Sequence, residues 1–165
     1  MPTLSKALQE AINEQINYEF YSAYIYLSMA AYCDSATRPG FAHWMRMQAH
    51  EEGQHAMKFY GYIYDQGGRV TLQGLAQPPV EWTSMLDLFQ QVLEHERKVT
   101  SLINNLYGLA FKENDYATQG LLSWFIKEQV EEEKNVTTII EQLKIIGNSG
   151  QATFMMDRHL ASRGK

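Results

Sequence analysis

The chain has 165 residues, 45% of them hydrophobic and 20% charged, and a net charge of −5. That length suits one domain with an adequate core, and the acidic balance excludes the basic footprint of a nucleic-acid binder. The single cysteine, Cys33, excludes an internal disulfide framework, and only four prolines stand among abundant helix formers, so the composition predicts an all-α fold in a reducing compartment. No apolar run is long enough for a membrane span, and Met1-Pro2-Thr3-Leu4-Ser5 lacks the basic and apolar regions of a signal peptide.

The first helix is expected from about Leu4 to Tyr32. Its apolar stripe reads Leu8, Ile12, Ile16, Glu19, Ala23, Tyr26, Ala30, in steps of three and four. A short connection from Ser35 to Arg38 makes the next helix its antiparallel neighbour, and Pro39 suits that helix's first turn. The second helix is expected from about Pro39 to Gln66, stopped by Gly67-Gly68, with the stripe Phe41, Met45, Gln48, Glu52, His55, Phe59, Tyr62.

Residues 67–81 hold glycines, Pro78 and Pro79 and no helical period; a connection of this length in a helical bundle can cross over. Ser84-Met85-Leu86-Asp87 reads as a helix start, a variant of the capping box. The third helix runs to about Phe111 with the stripe Phe89, Val92, Glu96, Val99, Ile103, Leu106, Ala110. Asp115 is the expected N-cap of a fourth helix, Tyr116 to Ile146, with the stripe Leu122, Phe125, Gln129, Glu132, Val136, Ile139, Leu143. Gly147-Asn148-Ser149-Gly150 breaks it. A short amphipathic segment, about Gln151 to Arg163, carries Phe154, Met155 and Leu160 on one side and is too short to stand alone.

Every one of the four stripes is interrupted near its middle by a group able to hold a metal: Glu19, then Glu52 with His55, then Glu96, then Gln129 with Glu132. Each has an ordinary explanation by itself. Glu19 could be a boundary residue, His55 a hydrogen-bonded core histidine, Glu96 part of a solvated charged face and Glu132 part of an exposed acidic run. Together they would bury unpaired carboxylates at similar depth on four seams, a costly arrangement unless the charge neutralises cations. Several carboxylates, one imidazole and no thiolate suit iron or manganese better than structural zinc. Di-iron bundles take one Glu from each of two helices and Glu-x-x-His from each of the other two. Here the fourth helix offers Gln129-x-x-Glu132 without a histidine, so the second metal position is expected to be the weaker and more labile.

The chain resembles the ferritins over nearly its whole length. The stretches that carry the likeness are Asn13-Glu14-Gln15-Ile16-Asn17-Tyr18-Glu19, His50-Glu51-Glu52-Gly53-Gln54-His55-Ala56, Gln66-Gly67-Gly68-Arg69-Val70 and Lys127-Glu128-Gln129-Val130-Glu131-Glu132-Glu133-Lys134, and the non-haem bacterial type is the most similar. The resemblance implies one ferritin-like domain over residues 1–165: a four-helix bundle with one long crossover connection and a short C-terminal fifth helix. It implies that Glu19, Glu52 and His55 hold one iron, that Glu52 bridges to a second held with Glu96 and Glu132, and that Gln129 sits beside the pair. Glu51, Glu128 and Glu131 match a third iron site that shares Glu132, and Tyr26 matches the family's redox tyrosine, though core packing alone would also account for it. Trp124 reads as packing. Haem is not expected, because Gly53 stands where bacterioferritins place a haem-ligating methionine after the bridging Glu. Animal ferritins put acidic channel residues early in the fourth helix, where this chain reads Thr118-Gln119-Gly120-Leu121-Leu122.

The expected function is then iron storage, with Fe(II) oxidised by O2 or H2O2 at an intra-subunit di-iron centre and Fe(III) mineral kept inside a shell of twenty-four subunits. The expected location is the cytoplasm or an organelle such as a plastid, with no membrane partner. A di-iron carboxylate peroxidase or oxidase without a storage role is the alternative, but such proteins usually keep ligands for two permanent ions, and here the second histidine is missing.

Overall fold

The computed structural model describes residues 4–165; the expectation for the N-terminus that rests on Met1, Pro2 and Thr3 lies outside them. Among the described residues there are five helices and no strand: α1 (Lys6–Ser35), α2 (Pro39–Asp65), α3 (Met85–Lys112), α4 (Tyr116–Ile146) and α5 (Gly150–Leu160). No helix among them is long and apolar enough to cross a membrane. The chain forms two compact units, Met1–Trp82 with Asn148–Lys165, and Thr83–Gly147.

The helix starts follow from local chemistry. Ser5, Ser84, Asp115 and Ser149 each accept a hydrogen bond on the side chain from the backbone N–H three residues on, satisfying a donor the helix itself cannot. At α3 the Asp87 side chain also reaches back past the N-cap, accepting from Thr83 N at 2.9 Å. That bond holds the Asp87 carboxyl below its ordinary range. The ends of α1, α2 and α3 share one device. Arg38 N donates to Cys33 O at 2.9 Å, Gly68 N to Ile63 O at 2.8 Å and Asp115 N to Ala110 O at 2.9 Å, each across a residue with positive φ. Those residues are Thr37 (φ 57°), Gly67 (φ 72°) and Asn114 (φ 56°), which makes each end a Schellman motif.

In the first unit α1 and α2 pack antiparallel: Asp34 meets Arg46 near one end and Glu19 meets His55 further along. Leu8, Ile12, Ile16, Tyr26 and Ala30 on α1 and Phe41, Met45 and Phe59 on α2 are buried, as their spacing predicts. Two seam positions differ. Ala23 and Tyr62 are only half-buried, while their neighbours Ser22 and Ile63 are fully buried. The departure is what a straight 3.6-residue helix produces when a stripe read in sevens drifts round it. Helix α1 also continues three residues past Tyr32, to Ser35.

The long connection after α2 is an ordered strap laid along α1. Arg69 N donates to Gln9 Oε1 at 2.9 Å, Thr71 N to Asn13 Oδ1 at 2.7 Å, and Asn13 Nδ2 returns a bond to Arg69 O at 3.0 Å. Further on, Ser28 Oγ donates to Pro79 O at 2.6 Å and Tyr32 packs edge-on against Trp82 with ring centroids 5.4 Å apart. From Gln9 to Tyr32 the strap covers roughly 35 Å at the rise of an α-helix. It returns the chain to the end of the pair where α2 begins, so the connection crosses over the length of the α1–α2 hairpin.

Helix α5 docks on the start of α2. Arg38, the N-cap of α2, offers no side-chain cap. The cap comes from Asp157 instead, whose Oδ1 accepts from Gly40 N at 2.9 Å and Phe41 N at 3.0 Å. A carboxylate there also meets the positive end of the helix dipole. Gly40 is required by the close approach, since a Cβ at that position would lie 1.7 Å from Asp157 O. The apolar side expected for this segment is corrected by the structure: Phe154 and Met155 are exposed, and Met156, Asp157 and Leu160 are buried. The polar cap, not the largest apolar side chains, sets which face of α5 turns inward. Cys33 is buried in the same unit. Burial, with Asp34 and Asp157 nearby, pushes its thiol up to about 12, so it is a neutral packing residue.

In the second unit α3 and α4 pack antiparallel, with Ala110 near Gln119 and Glu96 near Gln129. Every predicted seam position of both helices is buried.

Candidate metal centre

The first unit brings Glu19 from α1 together with Glu52 and His55 from α2. Glu52 and His55 are one turn apart on one helix face, and the antiparallel packing of α1 brings Glu19 to the same level. All three are buried, with 1% of Glu19 and 1% of Glu52 exposed. His55 Nδ1 lies 3.3 Å from Glu52 Oε2 and 4.0 Å from Glu19 Oε2, and the three candidate ligand atoms lie within 4.8 Å of one another. Ligand atoms around one bound ion sit about 3 Å apart, so small side-chain adjustments close the group on a metal.

Each carboxylate divides its oxygens in the same way. Gln15 Nε2 donates to Glu19 Oε1 at 3.0 Å, and Gln48 Nε2 to Glu52 Oε1 at 3.3 Å. In both cases the donor stands four residues earlier on the same helix. The two Oε2 atoms are left facing His55. Glu19 Oε2 has no hydrogen-bond partner although it is fully enclosed. A buried orphan carboxylate oxygen is costly, and a cation is the group that satisfies it. Burial first, and the Glu52 carboxylate second, raise the Glu19 pKa well above its ordinary value; His55 and the Gln15 amide act the other way. A cation entering the group therefore competes with a proton on Glu19.

The second unit holds Glu96 on α3 with Gln129 and Glu132 on α4, all buried. Gln129 Nε2 lies 3.1 Å from Glu96 Oε2, 3.1 Å from Glu96 O and 3.2 Å from Thr100 Oγ1. Thr100 Oγ1 lies 2.8 Å from Glu133 Oε2, and Arg97 Nε lies 3.6 Å from Glu133 Oε1. The Glu96 carboxylate is thus oriented from α4, by an amide that is itself fixed on α3. Of the remaining candidates, Tyr26 is fully buried, Glu128 is half-buried and Glu131 is exposed. Trp124 is more than a third exposed and packs edge-on against Phe125. Glu51 Oε2 is held by Arg163 Nη2 at 3.0 Å.

The apolar periodicity does not single out the supporting residues Gln15, Thr100, Glu133 and Arg163, and it shows Gln48 only as a member of its seam. The first three stand one turn from a predicted ligand, at positions i−4 or i+4 from Glu19, Glu96 and Gln129, and that spacing is the signal that could have found them.

A profile of the ferritin-like domain matches residues 9–146. The chain is 40% identical over 160 residues to a bacterial non-heme ferritin of Staphylococcus aureus (strain USA300), covering 97% of this chain and 96% of that protein. It is 42% identical, with the same coverage, to a bacterial non-heme ferritin of Staphylococcus haemolyticus (strain JCSC1435). Among solved structures, an open pore ferritin from the hyperthermophilic archaeon Archaeoglobus fulgidus superimposes with a TM-score of 0.96 at 46% identity, over 98% of this chain and 99% of that one. A closed form of the Archaeoglobus fulgidus ferritin, engineered by site-directed mutagenesis, gives a TM-score of 0.97 at 46% identity.

Proposed function

The chain belongs to the ferritin family, with the all-α four-helix bundle and short C-terminal helix of that fold, and on that premise we propose that it stores iron, oxidising Fe(II) on the way. The observation that carries this reading is the buried Glu19–Glu52–His55 group with its orphaned Glu19 Oε2. Fe(II) is the substrate, not a resident cofactor. In the proposed reaction two Fe(II) ions each give one electron to O2, which takes up two protons and leaves as H2O2; H2O2 is the alternative oxidant.

The chain's residues have distinct parts. Glu19, Glu52 and His55 hold the first ion, and Glu96 and Glu132, with Gln129 beside them, hold the second. Carboxylates favour Fe(III) over Fe(II) through charge, and His55 anchors the first ion. Burial and the Glu52 carboxylate favour a proton on Glu19, and an entering ion competes with it. No histidine on α4 matches His55, so the second ion is held less firmly, which fits delivery to a store better than a permanent di-iron cofactor. Glu51, Glu128 and Glu131 are further iron-binding carboxylates on the way to a mineral inside a shell of twenty-four subunits, and Tyr26 is an electron donor.

The test is aerobic addition of about two Fe(II) per subunit, followed by near-ultraviolet absorbance. The parent protein should oxidise the iron within seconds to minutes. A Glu52→Ala, His55→Ala double variant should lose the fast phase by at least about a hundredfold. A variant as fast as the parent would exclude the site.

A further inference from the structure

The ferritin resemblance implies an iron-binding role for Glu51, but in the structure that carboxylate is already engaged by a cation of the chain itself. Arg163 lies just beyond α5, and its guanidinium reaches back over α2. Nη1 donates to Trp44 O at 3.1 Å, and Nη2 donates to Gln48 Oε1 at 2.9 Å and to Glu51 Oε2 at 3.0 Å. The guanidinium carbon lies 4.4 Å above the Trp44 ring. Its own carbonyl lies 2.8 Å from His43 Nε2, which fixes the turn at its base. Three residues of α2 over two turns thus fix the guanidinium, and the Arg163 side chain is only 21% exposed.

Gln48 is fully buried, and its amide has two ends of opposite character. A guanidinium has donors and no acceptor, so the end facing Arg163 must be the carbonyl oxygen. The NH2 end is then turned to Glu52, where it donates to Oε1 at 3.3 Å. Were the amide free to flip, its oxygen would face the Glu52 carboxylate, oxygen against oxygen. Arg163 therefore determines which way the amide points, and the amide in turn holds one oxygen of Glu52 and leaves the other for His55 and a metal.

We propose that Arg163 is a positioning residue for the metal centre: acting through Gln48 it orients the Glu52 carboxylate, and by pairing with Glu51 it occupies the place of an iron at that carboxylate. The inference rests on the ferritin reading above, deepens it, and makes the turn after α5 part of the centre's support. Iron reaching Glu51 has to displace the guanidinium, so loading there and release of Gln48 are coupled.

The probe is Co(II), titrated without oxygen and followed by its visible d–d bands, which report ligation without any oxidation step. Arg163→Met keeps the stem against Trp44 and removes every donor. It should weaken the first Co(II) by about tenfold, the usual cost of losing an outer hydrogen-bond partner of a metal ligand. Arg163→Lys, which restores charge and donors, should recover most of the loss. Gln48→Leu should weaken Co(II) by a similar factor, and adding Arg163→Met to it should cause little further loss, because both act on one path. Parent-like titration of Arg163→Met, or losses that multiply in the double variant, would overturn the proposal. If the parent protein itself takes up no Co(II) and oxidises no Fe(II), the ferritin reading fails instead, so the two failures are distinguishable.

Discussion

The proposed ligand residues are visible in the sequence because each violates a pattern at its own position. Glu19, Glu52, Glu96 and Glu132 stand where an apolar residue is due, and all four are buried. Their supports break no rule. Gln15 four residues before Glu19, or Arg163 in a polar tail, looks like an ordinary solvated residue until the fold closes over it. His95 is a residue of the same kind. Next to Glu96 in a run of charges it reads as surface, yet burial lowers its pKa from 6.5 to about 4. The folded protein therefore binds this proton more weakly than the unfolded chain does. The stability tied to neutral His95 is intact above about pH 6.5 and is lost as pH falls through the window from 6.5 to 4. Between pH 7 and pH 5, His95→Gln should lose about 1–2 kcal/mol less stability than the parent. Denaturant midpoints at the two pH values measure this, and equal losses in both proteins would contradict it.

At the scale of elements, most boundaries follow from residue chemistry. Ser84 with Asp87, Asp115, Pro39 and Gly67 mark helix ends that the structure places within a residue or two of expectation. The end of α1 was misjudged because no glycine marks it: Thr37 takes the left-handed position at φ 57°. A β-branched side chain is strained there, and it is exposed, so nothing packs on it in return. Thr37→Gly should therefore stabilise the protein by about 0.5–1 kcal/mol, the relief of strain exceeding the added freedom of the unfolded chain. Chemical denaturation gives the number, and a loss of stability would show that the Thr37 side chain contributes something the local geometry does not reveal. The facing of α5 was missed for another reason. Its largest apolar residues are adjacent in sequence, but the buried face is chosen by Asp157, whose partner lies on α2. Contacts between residues so distant leave no periodic trace.

For the whole molecule, the bundle class was legible from four interrupted stripes and one long aperiodic connection. The path of that connection was not, since the side chains that hold it, Gln9, Asn13 and Ser28, are the small polar residues of any helix surface. The proposed shell of twenty-four subunits has its own test. Size-exclusion chromatography with light scattering should give a mass near twenty-four times the 19.0 kDa chain, and the fraction of that size should retain iron after Fe(II) loading and desalting. A small dimer that retains no iron would remove the storage reading and leave the oxidase alternative.

Asp157 and the helix it caps also impose an order in time. Gly40 and Phe41 are made 117 and 116 residues before their acceptor. At ribosomal speeds of about 5–20 residues per second, roughly 6 to 23 seconds separate them. Through that interval α1 and α2 can pair, being close in sequence, and Glu19, Glu52 and His55 can meet. Yet the first turn of α2 stays uncapped, and Arg163 has not been synthesised. A nascent chain therefore passes through a stage in which its ligands are present but not yet braced. The centre is braced only once the segment that follows α5 has been made and folds back on α2.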